Sequence, residues 1–335
     1  MKLIPAFLCL LLTIGTASQA QQVQVLTKGT PTSIRGLSVV NDDVVWVSGS
    51  AGKVGRSIDG GLHWEWHTVR GYEKTEFRDI EAFDDQTALI MGIGEPAYIL
   101  RTTDGGQNWQ LVYKNDKKGM FLDAMEFWNE QSGIVIGDPI DGRFFIARTF
   151  DNGVSWNEIP EPNKPQAIQG EACFASSGTN VRAVQKSEAV FVSGGLQSFL
   201  HIRDQKIKIP LMEGRESTGA NSFAFKHPYT YMVVGGDFNQ RDSIGGNCAI
   251  TRDRGKSWEI PAVPPHGYRS CVEHIGKKEW LTCGLNGVDY SYDDGLSFSL
   301  ISQEGFHVCR KAKKGNAVFL AGGNGKIGKF IKQQK

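Results

Sequence analysis

The chain has 335 residues, with 37 Lys and Arg against 36 Asp and Glu and a net charge of +1. A near-neutral balance gives no electrostatic case for nucleic acid or an anionic membrane as partner. Its 40 glycines and 8 tryptophans suit a fold of many tight turns with aromatic packing between sheets.

The first element is a leader. Lys2 precedes an apolar run from Leu3 to Ile14, and small residues end at Ser18-Gln19-Ala20. This pattern predicts a secretory signal peptide over residues 1–20, and hence a periplasmic or secreted chain. Cys9 lies inside the apolar run rather than at its exit, which argues against lipoprotein processing. No later segment has the ~20 consecutive apolar residues of a spanning helix.

From Ser57 onward one eight-residue phrase recurs: SIDGGLHW at Ser57–Trp64, TTDGGQNW at Thr102–Trp109, TFDNGVSW at Thr149–Trp156, TRDRGKSW at Thr251–Trp258 and SYDDGLSF at Ser291–Phe298. Asp59, Asp104, Asp151, Asp253 and Asp293 are placed to accept backbone N–H groups just ahead of them. The glycine two residues later supplies the positive φ that such a turn needs. The Ser or Thr two residues before each Asp braces the same turn, and the aromatic opens the next strand. These aspartates are therefore structural.

A second signature, an apolar strand ending in glycine, occurs seven times, near Gly49, Gly92, Gly137, Gly194, Gly235, Gly284 and Gly322. Ser198–Asp204 fills the one double interval as a strand whose turn has lost the phrase. The second unit reads as four strands, Phe77–Ala82, Thr87–Met91, Tyr98–Thr102 and Trp109–Tyr113. Seven four-stranded units of about 45 residues predict an all-β, seven-bladed β-propeller over residues 21–335. The last unit ends one strand short, and Val23–Leu26 is the expected replacement, which removes an exposed edge.

Cys173, Cys248, Cys271, Cys283 and Cys309 remain after the leader, without CxxC spacing. Cys271 and Cys283 flank a hairpin turn at Gly276-Lys277-Lys278 and are a disulfide candidate; the other reading is that all five are small buried hydrophobes.

The repeated phrase resembles the Asp-box, or BNR repeat, of sialidases and other propellers. Longer stretches, RGYEKTEFRDIEAFD at Arg70–Asp84, IGEPAYILRTTDGG at Ile93–Gly106, FLDAMEFW at Phe121–Trp128, GDPIDGRFFIART at Gly137–Thr149 and GYRS at Gly267–Ser270, are similar to the photosystem II stability/assembly factor propellers. That resemblance implies an exported propeller that holds a partner protein, and ties the chain to no particular chemistry.

Aligning seven inner strands, SIRGL, EFRDI, FLDAM, GEACF, NSFAF, YRSCV and FHVCR, places Arg35, Arg78, Asp79, Asp123, Glu171, Asn221, Tyr268, Arg269 and His307 at one mouth of the channel. Neighbouring loops add Glu95, Asp138, Asp141, Asp237 and Arg241. The leading expectation is a non-catalytic rim that binds a protein or peptide, with Arg35, Arg78 and Arg269 converging on an anionic group. The alternative is a sialidase-like glycan hydrolase or lyase, with the arginines clamping a carboxylate and Tyr268, Glu171 and Asp79 in chemical roles. A further expectation pairs the arginines with Asp79, Asp123 and Glu171 to close the channel.

The acids of GDPIDG and GDFNQRD lack calcium-loop spacing, and the seven histidines show no zinc-type pair. No dinucleotide fingerprint and no Ser/His/Asp order is legible. The expected partners are a protein, a peptide or an anionic glycan. No cofactor, metal or membrane span is expected, and the chain is expected to be a monomer.

Overall fold

The structure is a computed structural model that describes residues 21–332. The predicted signal peptide lies outside the described residues. β1 (Gln22–Thr27) precedes three four-stranded antiparallel sheets: β2 (Ile34–Val39), β3 (Val45–Gly49), β4 (Lys53–Ser57) and β5 (Glu65–Thr68); β6 (Phe77–Ala82), β7 (Ala88–Gly92), β8 (Ala97–Thr102) and β9 (Gln110–Asn115); and β10 (Leu122–Phe127), β11 (Gly133–Ile140), β12 (Arg143–Thr149) and β13 (Asn157–Glu158).

The next eight strands form one sheet: β14 (Glu171–Ala172), β15 (Val181–Gln185), β16 (Glu188–Gly195), β17 (Phe199–Ile202), β18 (Gln205–Lys208), β19 (Thr218–His227), β20 (Thr230–Asp237) and β21 (Cys248–Thr251). Its halves join through the single pair Gly194–Gly219 between β16 and β19. The fourth strand expected after β21 is reduced to one bridge, Ile250–Glu259. β22 (Cys271–Gly276), β23 (Glu279–Gly284), β24 (Gly287–Ser291) and β25 (Ser299–Ser302) form a further sheet. β26 (Val308–Lys311), β27 (Val318–Ala321) and β28 (Ile327–Ile331) complete the order, and β1 pairs antiparallel with β28. Among the described residues the only helix is the 3₁₀ turn Glu161–Asn163.

The inner strands touch in the order β2, β6, β10, β15, β19, β22 and β26, and β26 touches β2 again. The second strand of a sheet is short and buried on both faces, as in Val45–Gly49 and Ala88–Gly92, where all five residues are buried, while outer strands such as Gln110–Asn115 are exposed or half-buried throughout. The core is therefore a set of layers between neighbouring sheets. One layer joins Trp46 and Val54 of the first sheet to Phe77, Ile80 and Leu100 of the second.

The recurrent phrase folds as expected, with one addition. Thr102 Oγ1 donates to Asp104 Oδ1 at 2.8 Å and accepts the Gly106 N–H at 3.1 Å, while Asp104 Oδ1 accepts the Asn108 N–H at 2.9 Å. The side chain four residues on also donates to the second carboxylate oxygen, Asn108 at 2.8 Å and Ser155, at the third turn, at 2.6 Å. Gly106 has φ +88°, and a Cβ there would meet the Trp46 ring at 3.2 Å, so the turn also packs on the preceding sheet. Backbone N–H donation pulls the Asp59 carboxyl down to about 2. Asp104→Ala is expected to cost about 1 kcal/mol, the low end for an orphaned turn amide because water reaches it. Chemical denaturation checks this, with binding activity unchanged; unaltered stability with lost binding would contradict a structural role.

Two expectations are corrected. Cys271 and Cys283 are cross-strand partners, yet both are free, buried thiols in an apolar layer, as are the other three. The sequence GEACF is not a full inner strand: Glu171 and Ala172 pair with Gly195 and Gly194 in the short β14, and the inner strand is β15, ten residues later. The chain between them runs through the channel. Ser177 Oγ donates to Ser270 O at 2.8 Å, Thr179 Oγ1 to Ser222 Oγ at 2.6 Å, and Arg310 reaches Gly178 O at 3.1 Å. Small polar residues satisfy one another there, which an apolar strand cannot do in a narrow channel.

Candidate functional site

The channel has two mouths. At the end where the inner strands begin, Arg35, Arg78, Asp138, Tyr268 and His307 line a cavity of about 390 Å³. Its apolar wall is Phe121, Phe174, Phe238 and Leu285. Phe238 packs edge-on against Phe174 with ring centroids 5.7 Å apart. The sequence carries no mark of this wall, because Phe174 and Phe238 sit in loops without periodicity.

The cations here differ in commitment. Arg35 donates to Ser176 O at 3.2 Å, and burial followed by the neighbouring Arg78 charge lowers its pKa. It forms no ion pair among the described residues. Arg78 is held by Glu76, through Nε at 2.9 Å and Nη2 at 2.7 Å, and both groups are partly exposed. The His307 ring donates through Nδ1 to Ile34 O at 2.9 Å, and burial lowers its pKa to about 4, so it is neutral at pH 7. Tyr268 donates to Asn221 Oδ1 at 2.7 Å, and burial raises its pKa to about 12.

Below the cavity Asp123 is fully buried, and neither carboxylate oxygen has a hydrogen-bond partner. Burial, then the charge of Asp138, pushes its pKa up. Asp138 itself is raised to about 6 by burial and accepts the Cys173 N–H at 2.9 Å. Two acids close together in a dry floor favour the protonated form of Asp123, while Asp138, at about 6, is mostly ionised at pH 7 and lines the same cavity as Arg35 and Arg78.

The other predicted residues lie elsewhere. Arg269 does not reach the cavity, so the three-arginine clamp does not form. The residue is fully buried, with Nε 2.6 Å from Asp289 Oδ2 and Nη1 2.6 Å from Asn286 Oδ1. It follows Tyr268 directly, and successive side chains point to opposite sides of an extended chain. Asp79 accepts the Ile80 and Met125 N–H groups at 2.8 and 2.7 Å, which makes it a buried tie between inner strands. Asp237 pairs with Arg215, Asp141 with Lys117 and Arg241 with Asp242, while Glu95 accepts the Gly119 N–H.

Glu171 is occupied by Ser193 Oγ at 2.6 Å, His201 Nε2 at 3.0 Å and Lys206. Tyr268, Glu171 and Asp79 thus each hold separate partners and do not assemble a hydrolytic set. The trio Ser193, His201 and Glu171 is not a nucleophilic triad either. The same Nε2 faces both the hydroxyl, at 3.0 Å, and the carboxylate, so the imidazole cannot relay between them. The expected pairing of the rim arginines with Asp79, Asp123 and Glu171 is also absent.

The opposite mouth holds a cavity of about 520 Å³. Its inner charges are paired: Arg182 meets Glu273 at 2.9 Å and Glu126 at 3.8 Å, and Lys313 meets Glu81 at 2.5 Å. Burial raises Glu273 to about 7. Matched charges reach across this end of the channel, from β15 to β10 and β22 and from the turn after β26 to β6.

Comparisons with known proteins agree with this architecture. The family profile described as "Photosynthesis system II assembly factor YCF48" matches residues 14–120. A solved structure described as YCF48 bound to D1 peptide superposes with a TM-score of 0.67 at 17% identity, covering 94% of this chain and 98% of that one. YCF48 from Cyanidioschyzon merolae gives 0.63 at 16% identity, covering 92% and 98%. The WD40 β-propeller domain of Doa1 gives 0.65 at 13%, covering 93% and 98%. No curated protein matches the chain. The chain is an all-β propeller, and its resemblance to the photosystem II assembly factor propellers is borne out.

Proposed function

We propose that this chain is an exported, non-catalytic seven-bladed propeller, closed by β1, that binds a peptide segment of a partner protein at the mouth carrying Arg35 and Arg78. The observation that carries this reading is the pairing of an uncommitted, largely buried guanidinium with an aromatic wall in one open cavity. A carboxylate of the segment takes the paired N–H donors, and an apolar side chain lies against Phe238 and Leu285. The seven inner strands in cyclic contact support the blade count, and the β1–β28 ladder supports closure. The relative solved with a D1 peptide shares the fold and makes a peptide the natural class of ligand. Export rests on the leader-like residues 1–20.

Among the described residues of the mouth, Ser176 Oγ donates to Asn221, Ser270 Oγ to His307 O, Cys173 Sγ to Val192 O and His307 Nδ1 to Ile34 O. None of these hydroxyls or the thiol is therefore paired with a base, which favours binding over chemistry. Replacing Arg35 and Arg78 together by Ala is expected to weaken binding of acidic peptides by at least about tenfold. Calorimetric titration measures it, with the melting temperature as the control for folding. Equal affinity in the double variant would sink the reading.

A further inference from the structure

The Asp-box turns lie on the face opposite the arginine mouth. In five blades the fourth residue of the box donates its N–H to the turn between the first and second strands of the same blade. The pairs are Gly60 to Asp43, Gly105 to Gln86, Asn152 to Gln131, Arg254 to Tyr229 and Asp294 to Lys278, at 2.8–3.0 Å. Both sets of turns therefore build one surface, whose charges are sorted. The first-to-second-strand turns of the first three blades carry Asp42, Asp43, Asp84, Asp85 and Glu130. The corresponding turns of the fourth, sixth and seventh carry Lys186, Lys277, Lys278, Lys313 and Lys314.

Lys313 meets Glu81, but none of the other nine forms an ion pair among the described residues. Asp294, an acid on the basic side, is neutralised by Lys226 and Arg252, and the box carboxylates Asp253 and Asp293 there are taken up by the backbone N–H and hydroxyl of Ser257 and Ser297. In these first-to-second-strand turns, one side of the disc is thus acidic and the other basic.

The same surface exposes apolar side chains where a turn needs none. At the second and sixth positions of the box stand Ile58 and Leu62, Phe150 and Val154, and Tyr292 and Leu296, each more than half exposed. The second and fourth boxes have Thr103 and Gln107, and Arg252 and Lys256, at those positions. The turn geometry is the same in all five, so the apolar choice is not dictated by folding. Exposed apolar groups spread between charged ones are the composition of an interface.

We propose that the Asp-box face is self-complementary and that a second copy of this chain docks on it, face to face. A two-fold axis lying along the border between the acidic and basic sides turns one copy over and exchanges its sides. The acidic turns of each copy then meet the lysines of the other, twice, by symmetry. The three apolar pairs are covered in the same step, and both arginine mouths point outward, free for ligand. This departs from the monomer expected from the sequence. It rests on the ring order of the inner strands and not on what the other mouth binds.

Charge complementarity of this kind is screened by salt and reversed by charge exchange. The test is sedimentation velocity of the protein at rising concentration, at low and at high salt. A dimer is expected at low salt, weakened at least about tenfold at high salt. One variant carries Asp43→Lys, Asp85→Lys and Glu130→Lys; a second carries Lys277→Asp, Lys278→Asp and Lys314→Asp. Each alone is expected to be monomeric with an unchanged melting temperature, and their mixture to form a heterodimer. A wild-type protein that stays monomeric at low salt would overturn the proposal, as would a dimer that both variants retain. Should either variant fail to fold, the salt dependence of the wild type still decides it.

Discussion

Removal of residues 21–30 is expected to lower the melting temperature by about 10 °C or more and to drive irregular aggregation. β1 pairs with β28 from Gln22–Ile331 to Thr27–Ile327, with one irregularity between Val25 and Thr27. Without it, β28 presents an unpaired ladder to solvent. Val23 and Leu26 also pack against the apolar layer of the last and first blades, and Leu26 lies beside Gly61 of the first Asp-box. The strand thus covers the edge of β28 and packs on the layer that the first and last sheets share. Scanning calorimetry and light scattering measure both effects. A truncated protein with the melting temperature and particle size of the untruncated one would contradict the proposed closure by β1.

Arg269→Ala is expected to destabilise the fold by about 3–5 kcal/mol, because it leaves a buried carboxylate without its cation. Arg269 and Asp289 are both fully buried. Asp289 has one other partner of note, the His266 ring, whose Nδ1 is 2.7 Å from Oδ1. Arg269 also donates to Tyr268 O at 2.8 Å, so the pair fixes the backbone beneath the tyrosine of the mouth. Replacing both members, Arg269→Met with Asp289→Leu, is expected to recover much of the loss, since no lone charge is then buried. Denaturant titrations of the three variants measure it. An Arg269→Ala protein within about 1 kcal/mol of the parent would contradict a structural ion pair.

The blade plan was legible because it is written in local terms. The Ser/Thr-x-Asp-x-Gly phrase closes its turn within eight residues, and the strands ending in glycine are short and uniformly apolar. The observed strands of the second unit, Phe77–Ala82, Ala88–Gly92, Ala97–Thr102 and Gln110–Asn115, differ from the expected ones by at most two residues. The mouth was less legible. Arg35, Arg78, Tyr268 and His307 were found by aligning inner strands, which gives height along the channel. Direction is set by neighbours distant in sequence: Asp289 draws Arg269 inward, and Lys206 and His201 claim Glu171. GEACF misled because an apolar stretch of strand length was followed by a polar run, Ser176-Ser177-Gly178-Thr179-Asn180, that the channel itself accommodates. Positions two and six of the Asp-box carry no folding information, and for that reason their apolar residues become informative once their exposure is seen.

The proposal that the mouth carrying Arg35 and Arg78 binds a peptide is tested most directly by a crystal structure of the protein with the tightest acidic peptide selected from a display library. The expected structure shows a peptide carboxylate hydrogen-bonded to Arg35 or Arg78 and an apolar side chain against Phe238 and Leu285. A peptide seated instead on the outer blade edges or on the Asp-box face, with Arg35 still bound only to Ser176, would contradict it.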